Sequence, residues 1–377
     1  MHFIWAINVL FKRQIIMKFL SEYRDPVLAK QILEEITRTV TKPWKIMEVC
    51  GGQTHSLVKN GILSVLPKEI TMVHGPGCPV CVTPLHLIDK AIHLAVKNGV
   101  ILCSYGDMIR VPGSKKSLLE AKAQGADIRI LYSPLEAVNI AKENPDKEVV
   151  FFAVGFETTA PANALSVLHA HKLGLTNYAI LSSHVLVPPA IEAIMSDEET
   201  LIDGVLAAGH VCTIMGMKEY YPLAEKFKIP IVVTGFEPLD ILQGILMTVK
   251  QLEEGRFEVE NQYVRVVKET GNKNAKEVIN EVFKVQDQFW RGIDVIPNSG
   301  WGIKEAFKDF DAEHKFPLDL VVAEENKECI AGMIMKGLKK PVECQHFGKK
   351  CNPQNPLGAP MVSSEGACAA YYNFAGV

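Results

Sequence analysis

The sequence predicts an α/β protein of two related parallel-sheet lobes, an internal duplication, followed by a helical, loop-rich third domain. Three observations predict it. Short and almost wholly apolar runs alternate with stretches of helical periodicity, the pattern of strands buried on both faces of a parallel sheet. Segments recur in constant order along the chain, and the texture changes after about residue 250.

Composition bounds the rest. The 377 residues are 48% apolar and 22% charged, enough to bury a sizeable core in two or three domains. A formal net charge of −3 gives no broad positive field, which excludes sequence-independent binding to nucleic acid or anionic lipid and leaves proteins or small molecules as partners. Nine cysteines, an odd number without a secretion signal, point to a reducing compartment such as the cytoplasm. The apolar run Phe3 to Phe11 is too short to span a bilayer, and Lys12 and Arg13 follow it instead of preceding it, the wrong order for a signal peptide. Met17 opens a more ordinary polar start, so residues 1–16 read as an N-terminal extension.

Asp25 and Pro26 supply an N-cap and a first-turn proline for an amphipathic helix carrying Leu28, Ile32, Ile36 and Val40, which ends before Pro43. This helix, within residues 17–44, is expected to pack with the C-terminal domain. Eight runs then read as buried strands: KIMEVC, EITMVH, GVILCSY, IRILY, EVVFFAVG, YAILSS, GVLAAG and PIVVTG.

The duplication lies inside this region. VTP at Val82 recurs as VPP at Val187, and VILCSYGDMI at Val100 as VLAAGHVCTI at Val205, both at an offset of 105 residues. VGFETTA at Val154 recurs as TGFEPLD at Thr234, an offset of 80, so the first copy carries about 25 extra residues around Lys115 to Tyr132. This divides the chain into lobes at 45–147 and 148–250 and a third domain at 251–377, which begins with charged helical stretches and the aromatic-rich QFWRGIDVIPNSGWGI.

Three groups of residues carry chemistry. In EVCGGQTHSLV a strand ends at Cys50, two glycines turn the chain, and a helix begins near Gln53 or Thr54. A thiol just ahead of a helix has its thiolate favoured by the dipole and free N–H groups. His55 lies within a turn and can donate, accept or bind metal. The bland reading is a buried cysteine beside a solvated histidine. In HGPGCPVCVTP, Cys78 and Cys81 form a CxxC held by prolines 76, 79 and 84. That spacing suits a reversible disulfide, and zinc would need a second ligand pair, whereas no second CxxC exists in the chain. The third group is Cys329, Cys344, Cys351 and Cys368, with separations of 15, 7 and 17 residues. Four thiolates without close knuckle pairs suit a [4Fe–4S] cluster better than disulfides or a zinc ribbon, with zinc the competing reading. Cys103 and Cys212 lie in or beside apolar strand patterns and read as core packing. Glu157 and Glu237, at strand ends in GFETTAP and GFEPLD, read as helix caps or interlobe contacts.

Taken together, CGGQTH, GPGCPVCVTP, SYGDMIRVPGS, VGFETTAP, SHVLVPP and the cysteine quartet, in this order, resemble the HypD family of hydrogenase maturation factors from about Met17 to the C-terminus. The resemblance implies a cytoplasmic scaffold on which the Fe(CN)2CO group of [NiFe]-hydrogenase is assembled. Its implied partners are the small chaperone HypC, HypE with HypF upstream for cyanide, and the hydrogenase large subunit indirectly through HypC. It also implies two related α/β domains and a third holding a [4Fe–4S] cluster on Cys329, Cys344, Cys351 and Cys368. Cys50 corresponds to the thiolate that shares the iron with HypC, His55 to its neighbour, and Cys78 and Cys81 to a thiol pair exchanging electrons between cluster and site. Two readings from other classes stand beside it: a stand-alone iron–sulfur thiol–disulfide reductase, and a zinc-stabilised interaction module.

Overall fold

The computed structural model describes residues 22–317 and 325–375; the proposed extension at residues 1–16 and Met17 lie outside them. All eight runs named above form strands. They are β1 Trp44–Glu48, β2 Ile70–His74, β3 Val100–Ser104, β4 Ile128–Ile130, β5 Glu148–Gly155, β6 Tyr178–Val185, β7 Gly204–Ala208 and β8 Ile231–Thr234. Three more follow: β9 Val259–Asn261, β10 Phe283–Trp290 and β11 Asp294–Ile303.

The strands sort into two sheets. One has the order β2-β1-β7-β8-β9 and is wholly parallel. The other has the order β10-β11-β6-β5-β3-β4, parallel from β6 to β4, with β11 and β10 added antiparallel. Each sheet therefore draws strands from both 45–147 and 148–250, and the lobes interleave in sequence instead of succeeding one another. Local sequence cannot assign these strands to sheets, because each is apolar on both faces and carries no mark of its neighbour. The chain leaves the first sheet through Pro79–Val82 and Leu85–Ala95 and returns through Val187–Met195, so the recurring VTP and VPP segments open the two crossings. Strands related by the sequence offsets hold matching places, β3 beside β5 in one sheet and β7 beside β8 in the other. The extra residues of the first copy supply Leu118–Ala123 and β4.

Two further expectations change. The span from 251 is not one separate domain, since β9 extends the first sheet and the β10–β11 hairpin extends the second. Its aromatic residues mark a buried hairpin, with Trp290 and Trp301 in the core. The predicted N-terminal helix is α1, Pro26–Thr39, and Asp25 caps it by accepting from the Val27 and Leu28 N–H groups at 2.8 and 3.2 Å. It packs on the first sheet's side and not on the C-terminal segment: Ile36 is wholly buried in a cluster with Ile46, Ile241 and Ile245. The last two belong to the long helix Pro238–Glu254. The same helix supplies Glu253, which accepts from the Thr41 N–H at 2.8 Å and the Trp44 indole at 2.7 Å.

Truncating Ile36 to Ala removes a fully buried side chain from this seam, and the expected loss is about 2–4 kcal/mol. Urea denaturation should show a lower midpoint with an unchanged slope.

Candidate functional site

In the first sheet the chain steps outward from β1 to β2 on one side and from β7 to β9 on the other. The switch point therefore lies between β1 and β7, where open α/β sheets bind their ligands. Cys50 stands at that point. It is the N-cap of α2, Gly51–Lys59, in extended backbone, and its side chain makes no capping bond.

The residues around Cys50 are fixed by packing and by hydrogen bonds. Gly77, of the CxxC loop, lies so close that a Cβ there would collide with the Cys50 backbone, and the Gly51 N–H donates to the Gly77 carbonyl at 2.8 Å. Gln53 donates from Nε2 to the Ala207 carbonyl and to Thr234 Oγ1, pinning α2 to the ends of β7 and β8. Beyond Gly52 lies Phe236, on which the exposed ring of His210 stacks at 3.7 Å between centroids.

Glu48, two residues before Cys50, is wholly buried. Its Oε2 accepts the Cys50 N–H at 3.0 Å, and its Oε1 accepts both the Thr54 hydroxyl and His74 Nδ1, the latter at 2.8 Å. His74 Nε2 in turn lies 3.0 Å from the Tyr371 hydroxyl. His74 thus bridges the Glu48 carboxyl and the Tyr371 hydroxyl through its two ring nitrogens.

The Cys50 thiol is half-buried, and burial pushes its pKa up to about 12, with the Glu365 and Glu48 carboxyls adding to the rise. The Gly52 and Gln53 N–H groups pull the other way, as the helix position predicts, but are outweighed. The expected depressed thiolate is therefore not found; a free Cys50 carries its proton.

The CxxC sulfurs are joined in a disulfide, with Cα atoms 5.2 Å apart. Both cysteines are buried, in one cluster with Ala359 and Val362 of the C-terminal segment. That segment runs across both lobes. The Val362 carbonyl accepts from Arg110 at 2.9 Å, a Cβ on Gly51 would collide with Glu365, and the Ser364 carbonyl accepts from His55 Nδ1 at 3.2 Å. His55 also meets Phe374 edge to face. Its hydrogen-bond partner is thus the C-terminal segment and not Cys50.

Cys329, Cys344, Cys351 and Cys368 line one pocket, walled by Ile330, Phe347 and Leu357. The Leu357 N–H points at Cys351 Sγ at 3.4 Å. Burial first, and then neighbouring thiolates, raise the pKa values of Cys329, Cys351 and Cys368. Four thiols whose anionic forms repel one another are a donor set suited to a cationic iron–sulfur core or to zinc. Among the described residues, however, no group of three or more His, Cys, Asp or Glu side chains stands in metal-holding geometry. Cys368 is the second residue of α3, Ala367–Phe374, the helix that also carries Tyr371.

The sequence reading missed Glu48, His74, Glu365 and Tyr371. Glu48 and His74 carried a signal, because each is an ionisable residue inside an apolar strand run and such residues are buried only with partners. Nothing local marked Tyr371 or Glu365, whose roles come from the tertiary path of the C-terminal segment. Among the described residues no helix is long and apolar enough to cross a membrane.

Comparison with known proteins places these features. The family model described as HypD: Hydrogenase formation hypA family matches residues 27–375. The hydrogenase maturation factor HypD of Azotobacter vinelandii is 48% identical over 367 residues, covering 95% of this chain and 97% of that protein. The HypD of Rhodobacter capsulatus is 47% identical over 372 residues, covering 96% and 99%. That of Cupriavidus necator is 44% identical over 369 residues, covering 95% and 97%. Identity at this level along nearly the whole length shows that the chain belongs to the HypD family of hydrogenase maturation factors.

Proposed function

We propose that the protein is a cytoplasmic assembly scaffold for the Fe(CN)2CO group of [NiFe]-hydrogenase. It would work with a HypC chaperone, which delivers to the hydrogenase large subunit, and with HypE and HypF as the cyanide source. The observation that carries this reading is the near full-length identity to proteins named hydrogenase maturation factors. The geometry supports it: Cys50 is a thiol presented at a sheet switch point, with glycine on either side of its approach and a dithiol loop packed on its backbone.

In this reading the iron is cargo, held at Cys50 as the thiolate. A soft thiolate suits low-spin iron with strong-field ligands, and iron displaces the thiol proton. His55, held through Nδ1 by the Ser364 carbonyl, keeps its Nε2 outside that bond on the same helix. Cys329, Cys344, Cys351 and Cys368 would hold a [4Fe–4S] cluster, which when bound supplies one-electron transfer. Cys78 and Cys81 hold or release an electron pair as dithiol or disulfide. Their burial beneath Ala359 and Val362 favours an internal electron route over turnover of an external disulfide substrate.

Two measurements test this. Cys50→Ala protein purified anaerobically with HypC should lack the infrared CN and CO bands that the unaltered complex carries; bands of equal intensity in the variant would refute the role of Cys50. Cys344→Ala protein should lose the visible absorbance of an iron–sulfur chromophore and most of its bound iron and sulfide. Stoichiometric zinc and no sulfide in the unaltered protein would instead make the four-cysteine segment a zinc-stabilised module.

A further inference from the structure

We infer that His74 and Tyr371 are positioning residues which, through Glu48, couple the C-terminal cysteine helix to the presentation of Cys50. The observations are continuous. Glu48 accepts the Cys50 N–H and the Thr54 hydroxyl, so it fixes both the backbone of Cys50 and the first turn of α2. His74, at the end of the neighbouring strand, joins the same carboxyl at 2.8 Å, and Tyr371 closes the line at 3.0 Å. His74 and Tyr371 also pack ring edge to face, with centroids 5.3 Å apart.

All members of this line are buried: Glu48, Thr54 and His74 are at most 4% exposed and Tyr371 is 9% exposed. Water therefore cannot substitute freely for a lost partner, and each link is held by the next. Tyr371 lies three residues after Cys368 on α3, so the two side chains are neighbours on the helix surface. Cys368 lines the four-cysteine pocket. Shifts of α3 that accompany changes at the quartet are thus passed to the helix end that carries Cys50, and the same helix holds Phe374 against His55. The strand pattern supports a purpose other than packing, because apolar residues at positions 48 and 74 would fill the same sites without needing partners.

This inference rests on Cys50 being the working thiol, but its test does not need the metal group. The reduced, metal-free full-length protein is treated with iodoacetamide, and the rate at Cys50 is followed by peptide mass spectrometry. Tyr371→Phe keeps the ring and removes the hydroxyl, and Glu48→Gln keeps the shape and weakens the hub. Each should speed Cys50 alkylation by about fivefold, the population change expected for one net buried hydrogen bond. The double variant should be no faster than the faster single one, because both act through one line. The control is Tyr178→Phe, which removes the hydroxyl of a wholly buried tyrosine, bonded to Ser166 in the second sheet's lobe at 2.9 Å, and it should leave the Cys50 rate unchanged. An unchanged rate in Tyr371→Phe, multiplying effects in the double variant, or equal acceleration by Tyr178→Phe would overturn the inference. Loss of the infrared bands in Cys50→Ala bears on the scaffold reading alone.

Discussion

The site depends on one buried carboxyl. Glu48 sits at the C-terminal end of a central strand with no exposure to water, where an unpartnered carboxyl group would be costly. Its two oxygens are satisfied by a backbone N–H and a hydroxyl from the start of α2 and by an imidazole from the end of β2. Meeting that requirement fixes where α2 begins, how β2 ends, and, through Tyr371, where the last helix lies. Cys50 is placed as a consequence. Its own side chain makes no cap.

The interleaved sheets serve the same end. Because the chain crosses to the second sheet directly after the CxxC and returns after β6, the dithiol loop is carried on the crossing and packs on the backbone of Cys50. Successive lobes would have placed that loop within one sheet. Here it stands at their junction, where Thr83 and Ser183 approach at 3.4 Å and the Arg291 N–H donates to the Val82 carbonyl at 2.9 Å. The C-terminal segment then crosses the junction, bonded to the Arg110 side and to the His55 side, and brings the quartet's pocket to the same region.

Much of this was legible in the residues, and the rest was hidden for definable reasons. All eight apolar runs are strands, and Asp25 caps α1, because burial and capping are local signals. Sheet membership was not legible, since β1 and β3 have the same apolar texture and yet belong to different sheets. The Trp-rich stretch suggested a third domain because exposed charge precedes it, whereas Trp290 and Trp301 fill a hairpin on the second sheet. Cys50 and the CxxC stood out by residue type and glycine neighbours. The sign of the effect on the Cys50 thiol did not, because the helix end is local while the burial and the Glu365 carboxyl that outweigh it come from the tertiary fold.

The burial of the disulfide carries a final step. Exchange requires in-line approach of a thiolate to one sulfur, and Cys78 and Cys81 are only 5% and 3% exposed. Ala359 and Val362, which share their cluster, belong to the segment that also touches Gly51 and His55 and ends in the helix of Tyr371. The packing that buries these sulfurs and the contacts around Cys50 thus share one stretch of chain, residues 359–374. A protein that exchanged thiols with many substrates would gain nothing from such a cover. The same stretch joins the buried disulfide, the start of α2 that carries Cys50 and the helix that carries Cys368, so the three cysteine groups belong to one packed unit.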